Sequence, residues 1–292
     1  MPLVSFLQYN PAAFYILAFV FGLLVGSFLN VVIYRLPKMM EADWQQQCRT
    51  LLNLETAETG TAEEFNLIRP RSRCPHCGHQ ITALENIPVI SYLLLGGKCS
   101  ACKSAISIRY PLIELVSAFL ALFCAWHFGF GLQALLAILL SWALLALTMI
   151  DLDHQLLPDD ITLPFMWIGI LANMFGIFTN IYSSLFGVMA GYGILWTVYI
   201  VFKKLTGKEG MGYGDFKLLA MLGGWLGWQM LPLIILLSSF VGAITGIGLI
   251  FFKHHDRAKP IPFGPYLAVA GWIALIWGAR LTEAYYHWAV TP

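Results

Sequence analysis

Charge is scarce in this sequence. Seventeen Lys and Arg face sixteen Asp and Glu, together 11% of 292 residues, where soluble domains carry about 25%. The net charge of +1 argues against a nucleic-acid partner, which demands a strongly basic face, although the total hides an asymmetry along the chain. No internal repeat and no low-complexity tract is present, which excludes solenoid architectures. No charge precedes the first apolar run, and no small-residue cleavage site follows it. That run is therefore expected to stay in the membrane rather than be removed as a signal peptide. A glycine-rich loop of the dinucleotide-binding kind is also missing, so the sequence itself locates no cofactor site.

What is abundant is apolar: 59% of residues, with a mean hydropathy of +0.72. A bilayer is the solvent in which that much apolar surface stays soluble. A helix needs roughly 17–25 apolar residues to cross about 30 Å of hydrocarbon. Runs at 12–34, 112–130, 132–150, 163–179, 182–202, 231–252 and 263–279 qualify, and a shorter one at 216–229 is read with them. They predict an all-α polytopic membrane protein with about eight transmembrane helices. The sixth run is short and Gly-rich (Gly223, Gly224, Gly227) and is the least secure.

Orientation follows from the basic residues. Nine lie between Arg35 and Arg109, four between Lys203 and Lys217, three between Lys253 and Lys259, and one at Arg280. With eight crossings, sixteen of the seventeen share one side, which the positive-inside rule makes cytoplasmic. Without the sixth crossing, Lys253, Arg257 and Lys259 would face outward. Both termini are then expected outside the cytoplasm. The expected divisions are 1–34, a first span; 35–110, a cytoplasmic domain; and 111–292, the remaining membrane domain. Within the cytoplasmic domain, residues 39–66 are polar and acidic. They suit either a short amphipathic helix around 44–54 or a loosely ordered insertion.

The same domain carries Cys74-Pro-His-Cys77 and Cys99-Ser-Ala-Cys102, with 21 residues between the pairs. Two such knuckles, each turning two thiolates to one side, make a closed tetrahedral site of zinc-ribbon type. A site with four protein ligands has no open position, so its metal is structural. A redox C-x-x-C is the competing reading, and His76 and His79 are local alternative ligands. A cytosolic location disfavours structural disulfides. Gly78 and Gly97 lie near the knuckles, where positive φ is often needed. Cys48 and Cys124 belong to no pair.

Acidic side chains in or beside membrane helices are expensive and become functional candidates. Six qualify: Glu114, Asp151, Asp153, Asp159, Asp160 and Asp215. Asp151 follows the third run and Asp215 opens the sixth, in Gly212-Tyr-Gly-Asp215, so both are expected at the cytoplasmic boundary. Two carboxylates a few Å apart cannot both ionise. The ionised one can take a proton from water while the protonated one polarises a scissile carbonyl. The competing reading is that these aspartates cap helices. Asp159 and Asp160 look more like caps, Asp153 is ambiguous, and Glu114 suits either a paired buried group or a functional one.

At these residues the sequence resembles the bacterial type IV prepilin peptidases of the GxGD group of intramembrane aspartyl proteases. The likeness spans nearly the whole chain. It runs through Gly26-Ser-Phe-Leu-Asn-Val-Val-Ile-Tyr-Arg-Leu-Pro37, both cysteine pairs, Asn86-Ile-Pro-Val-Ile-Ser-Tyr92 and Ile106-Ser-x-Arg-Tyr-Pro111. It continues through Asp151 to Pro158-Asp159, Gly212-x-Gly-Asp-x-Lys217 and Pro262-Phe-Gly-Pro265. The resemblance implies a bacterial inner-membrane enzyme with periplasmic termini and Asp151 and Asp215 as its catalytic pair. It implies cleavage of the basic leader of prepilins or secretion pseudopilins, then N-methylation of the new terminus with S-adenosylmethionine. It also links the cysteine domain to the methylation. The rivals are a transporter with a cytoplasmic zinc module, which predicts midplane acids and inverted repeats, and a membrane scaffold. A scaffold leaves Gly212–Asp215 unexplained.

Overall fold

The computed structural model describes residues 3–52, 65–253 and 262–290. Its described residues contain helices and two isolated β-bridges but no strand. Among the described residues, six helices are long and apolar enough to cross a membrane, by length and composition. The chain divides into two compact units, Met1–Ile138 and Leu139–Pro292.

In the first unit, α1 (Leu3–Tyr9) leads into α2 (Pro11–Leu51), which opens with Pro11 in its first turn. There the ring's fixed φ suits a helix and the missing N–H costs nothing. At 41 residues, α2 is about 62 Å long, well beyond the expected span at 12–34. It continues through Pro37 into the polar stretch, where residues 41–51 are all exposed. Of the two readings for that stretch, helix therefore holds as far as Leu51; residues 53–64 lie outside the described residues.

Against α2 packs α4 (Arg109–Phe128). The contact is set by Gly22 and Gly26, one turn apart on one face. A Cβ on either would stand 2.6 Å from the Cα of Ala118 or Glu114 respectively. Glycine here lets the two backbones approach, as in the small-residue packing of membrane helices. Hydrogen bonds fix the register: Ser117 Oγ donates to the Gly22 carbonyl at 2.7 Å, and Asn30 Nδ2 to the Tyr110 carbonyl at 3.2 Å. Between α2 and α4 lies the cysteine-bearing segment, with the short α3 (Ile90–Leu94). The next helix, α5 (Leu132–His154), starts at the end of this unit and continues into the second.

The second unit is built around α8 (Tyr213–Leu226). It is wrapped by α6 (Asp159–Met174), α7 (Ile181–Thr206) and α10 (Gly264–Val290), with α9 (Leu231–Lys253) beside α10. Phe216, Leu218, Leu219, Met221, Leu222 and Trp225 of α8 are fully buried. Fourteen residues give about 21 Å, short of a hydrocarbon core of about 30 Å. A helix enclosed by other helices need not match the bilayer, provided its terminal carbonyls find donors. They do. Asn173 Nδ2 donates to the carbonyls of Gly224 at 2.8 Å and Trp225 at 2.9 Å, and Ser184 Oγ donates to Gly224. Asn173 Oδ1 in turn accepts the N–H groups of Phe178 and Thr179, each at 3.1 Å. Gly223, one of the glycines that weakened the sixth run as a span, is what lets α7 close on it, since a Cβ there would overlap the Gly187 carbonyl.

Gly26→Val is expected to destabilise the first unit by about 1–3 kcal/mol, the usual range for overpacking. Gly193→Val, where an added Cβ meets nothing within 4 Å, should be neutral. Thermal unfolding of both variants in detergent checks this; equal midpoints would refute the close-packing reading.

Candidate active site and metal centre

Asp151 lies in the last turn of α5 and is buried. The helix ends just beyond it, with Gln155 at positive φ donating its N–H back to the Asp151 carbonyl at 2.9 Å. The side chain reaches another element: Asp151 Oδ2 accepts the backbone N–H of Gly264, the first residue of α10, at 3.0 Å. A Cβ on Gly264 would lie 2.6 Å from that oxygen, so only glycine admits the contact. The carboxylate thus sits at a helix N-terminus, where unpaired N–H groups and the macrodipole favour negative charge.

Asp215 is also buried, and it is the third residue of α8, after the N-cap Gly212. From there its carboxylate turns back toward the backbone of Gly212, Oδ2 lying 3.8 Å from where a Cβ on that glycine would stand. Asp151 lies within electrostatic reach of it. Leu157 triangulates the two: a Cβ on Gly214 would meet Leu157 Cβ at 2.8 Å, and one on Gly264 would meet Leu157 Cδ2 at 3.1 Å. The turn after Asp151 is therefore wedged between the neighbour of Asp215 and the donor to Asp151.

The other acids separate from this pair. Asp159 is not the N-cap of α6, since Pro158 holds that position. Its carboxylate instead binds Lys217 Nζ through both oxygens, at 2.8 and 2.6 Å, tying the start of α6 to the start of α8. Asp160 is exposed in the first turn of α6, and Asp153 is exposed two residues beyond Asp151. In the first unit, buried Glu114 accepts the N–H of Val89 at 2.8 Å. A second brace holds the loop before Asp215. Lys203 Nζ contacts Glu209 at 2.7 Å and the Tyr199 hydroxyl at 3.2 Å, and Tyr199, Tyr213 and Phe216 pack ring on ring. Sequence reasoning missed Gly264, Leu157 and the Asp159–Lys217 pair as parts of the site. Pro262-Phe-Gly-Pro265 was visible as a motif, but nothing in it named Asp151 as its partner.

The four cysteines come together in the first unit as two copies of one knuckle. In each, the N–H of the first cysteine bonds the carbonyl five residues on (Cys74 to His79, Cys99 to Ser104). The N–H four residues on returns to the first cysteine's carbonyl (from Gly78 and Lys103). A bridge flanks each, Arg73 with Gln80 and Lys98 with Ala105. Positive φ falls at the matching residue of both knuckles, Gly78 and Lys103. Gly97 also has positive φ but lies before its knuckle.

All four Sγ atoms lie within 4.8 Å of one another, and those of Cys74 and Cys102 are 3.8 Å apart. Tetrahedral zinc at about 2.3 Å from each sulfur sets them about 3.8 Å apart, so the donor set fits. The electrostatics agree. The N–H groups of Cys77 and His76 lower the Cys74 thiol to about 6, and the Ser104 hydroxyl lowers Cys102. Cys77 goes up to about 11: the His79 N–H favours its thiolate, but desolvation and the three neighbouring cysteines outweigh it. Four thiolates share this volume only around a cation. Glu85 braces the two knuckles, held down to about 2 by the Ser100 hydroxyl and by Thr82, with His79 Nε2 at 3.3 Å. His79 thereby faces Glu85, and four sulfurs already complete the cluster without it.

Comparison with known proteins divides the chain in a similar way. Residues 20–128, with all four cysteines, match the family model described as the Bacterial Peptidase A24 N-terminal domain. Residues 138–247, with both aspartates, match the one described as the Type IV leader peptidase family. The prepilin leader peptidase/N-methyltransferase of Stutzerimonas stutzeri is 59% identical over 286 residues, 98% of each chain. That of Pseudomonas aeruginosa is 56% identical over 289 residues, 99% of each, and that of Aeromonas salmonicida 56% over 275 residues, 94% of each. No solved structure matches the chain. With relatives this similar over nearly its whole length, the chain belongs to the type IV leader peptidase family.

Proposed function

We propose that this chain cleaves the basic leader of type IV prepilins or secretion pseudopilins at the cytoplasmic face of the inner membrane, and N-methylates the terminus it exposes. The observation that carries the reading is the pair of buried aspartates, each with its carboxylate at the N-terminal end of a helix and within electrostatic reach of the other, in a chain whose close relatives are named for both activities. Asp151 and Asp215 are assigned as the catalytic pair. Of two such carboxylates one stays protonated at neutral pH. The ionised partner takes a proton from a water molecule as its oxygen attacks the scissile carbonyl carbon, and the protonated partner donates a hydrogen bond to the carbonyl oxygen. The C–N bond then breaks, and the amine leaves with a proton.

The eight-crossing topology fits this chemistry. With α6 and α8 added to the six longer helices, the basic residues gather on one side and both aspartates reach that side's boundary, with both termini periplasmic. Hydrolysis needs water, which the hydrocarbon core lacks. A leader in the cytosol joined to an apolar helix in the bilayer presents its scissile bond at that same boundary. The divisions 1–34, 35–110 and 111–292 then separate a first span, a zinc-holding cytoplasmic domain and the protease domain. Zinc on Cys74, Cys77, Cys99 and Cys102 is structural, because four sulfurs close its coordination. S-adenosylmethionine supplies the methyl group, and the new N-terminal amine receives it.

Asp151→Asn and Asp215→Asn are each expected to lower leader cleavage by at least ~10²-fold, the scale of a lost acid–base group. Both variants should still insert and fold. Cleavage near the wild-type rate by either, at matched protein levels in proteoliposomes, would remove that residue from the pair. The cysteine domain makes a separate claim: about one zinc per chain, with Cys99→Ser reducing methylation more than cleavage. Elemental analysis of protein purified under reducing, chelator-free conditions decides the metal, and a zinc-free active enzyme would contradict it.

A further inference from the structure

The segment between the two knuckles has an exposed apolar face that neither the aspartates nor the cysteines explain. In α3 no side chain is buried, and Ile90, Leu93 and Leu94 are 53, 71 and 82% exposed. These three lie at i, i+3 and i+4, one face of a helix. Ile87, three residues before the helix, is exposed as well. The other face is used: Tyr92 packs over Gly97, and its hydroxyl donates to the Ile106 carbonyl at 3.4 Å. The apolar face therefore points away from the cysteine module.

The depth of this segment is fixed by Glu114. Helix α4 has 20 residues, about 30 Å, so it needs nearly its full length to cross the hydrocarbon. Glu114 lies five residues after Arg109, about 7–8 Å along the helix. It accepts the N–H of Val89, the residue before α3, at 2.8 Å. The chain at Val89 is thus level with the second turn of a membrane-spanning helix. Backbone at that depth is tolerated only where its polar groups are satisfied by protein. Glu114 meets that demand, and Val89 itself turns at φ 61. The exposed Ile108 and Leu112 continue the apolar surface from the module onto α4.

We propose that Ile87–Leu94 is an interfacial anchor: α3 lies in the bilayer surface with Ile87, Ile90, Leu93 and Leu94 among the acyl chains. The partner is lipid, continuous with the lipid around α4. Lys98, which is exposed, flanks the segment and suits an anionic headgroup. The anchor holds the cysteine module at the height of the membrane surface. It depends only on α4 spanning the bilayer and stands whether or not Asp151 and Asp215 are the catalytic pair.

The test uses the full chain with a small fluorescent amino acid in place of Leu94, and in a second protein in place of Ile90. Each is reconstituted in vesicles of phosphatidylethanolamine and phosphatidylglycerol doped with phosphatidylcholine brominated either near the headgroup or near the terminal methyl. The same fluorophore at Gln46, on the exposed polar part of α2, is the control. Most emission at Leu94 and Ile90 should be lost to headgroup-proximal bromine, and less to terminal bromine, while Gln46 is unaffected. Quenching at both positions no greater than at Gln46 would overturn the anchor. Energy transfer between labelled copies without bromine quenching would also overturn it, because a second copy would then cover the face.

Discussion

A carboxylate taken from water into a bundle of apolar helices loses several kcal/mol of solvation unless other polar groups replace the water. In this protein the replacement comes from helix ends. Asp151 takes the first N–H of α10, and Asp215 turns back toward the backbone at the head of its own helix. Both approaches are to the backbone, and both are at glycines, where no side chain blocks the way. Much of the second unit serves to bring those helix ends together. The wedge of Leu157, the Asp159–Lys217 pair and the Tyr199–Lys203–Glu209 brace all act on segments that deliver one aspartate or the other.

The same accounting explains features that look unrelated. A fourteen-residue helix survives at the centre of the bundle because Asn173 and Ser184 meet its last carbonyls. Glu114 is held by a backbone N–H, as Asp151 is, and in this way fastens the cysteine-bearing segment to α4. In the cysteine module the problem has the opposite sign. There, N–H and hydroxyl donors favour thiolates at Cys74 and Cys102 until their neighbours resist further charge, and a cation resolves the conflict.

Much of this was legible in the sequence because the signals are local. Apolar runs gave the long helices, and the spacing of two C-x-x-C pairs gave the cluster, because each knuckle closes within a few residues. The two aspartates stood out because acids beside membrane helices are rare. Other features were hidden because they depend on pairs far apart in the chain. Gly264 and Asp151 are separated by 113 positions, and neither residue type announces the other. Asp159 resembled a cap because Asp before a helix usually is one, yet Lys217 supplied a stronger partner from α8. The length of α2 was underestimated for a different reason: polarity ends a membrane span but does not end a helix. Gly78 and Gly97 take the positive φ expected of them, while Lys103 in the second knuckle adds one that composition did not mark.

If helix-end donors hold the active carboxylates, the contact between Gly264 and Asp151 is where the account is most exposed. A methyl group at position 264 would meet Asp151 Oδ2 at 2.6 Å and push the carboxylate off its donor without changing any charge. The decisive measurement is leader cleavage by Gly264→Ala in proteoliposomes, alongside its thermal unfolding and its methylation of an already cleaved substrate. The account predicts cleavage lost about as completely as in Asp151→Asn, with folding and methylation retained. Cleavage at the wild-type rate by a folded Gly264→Ala protein would contradict it.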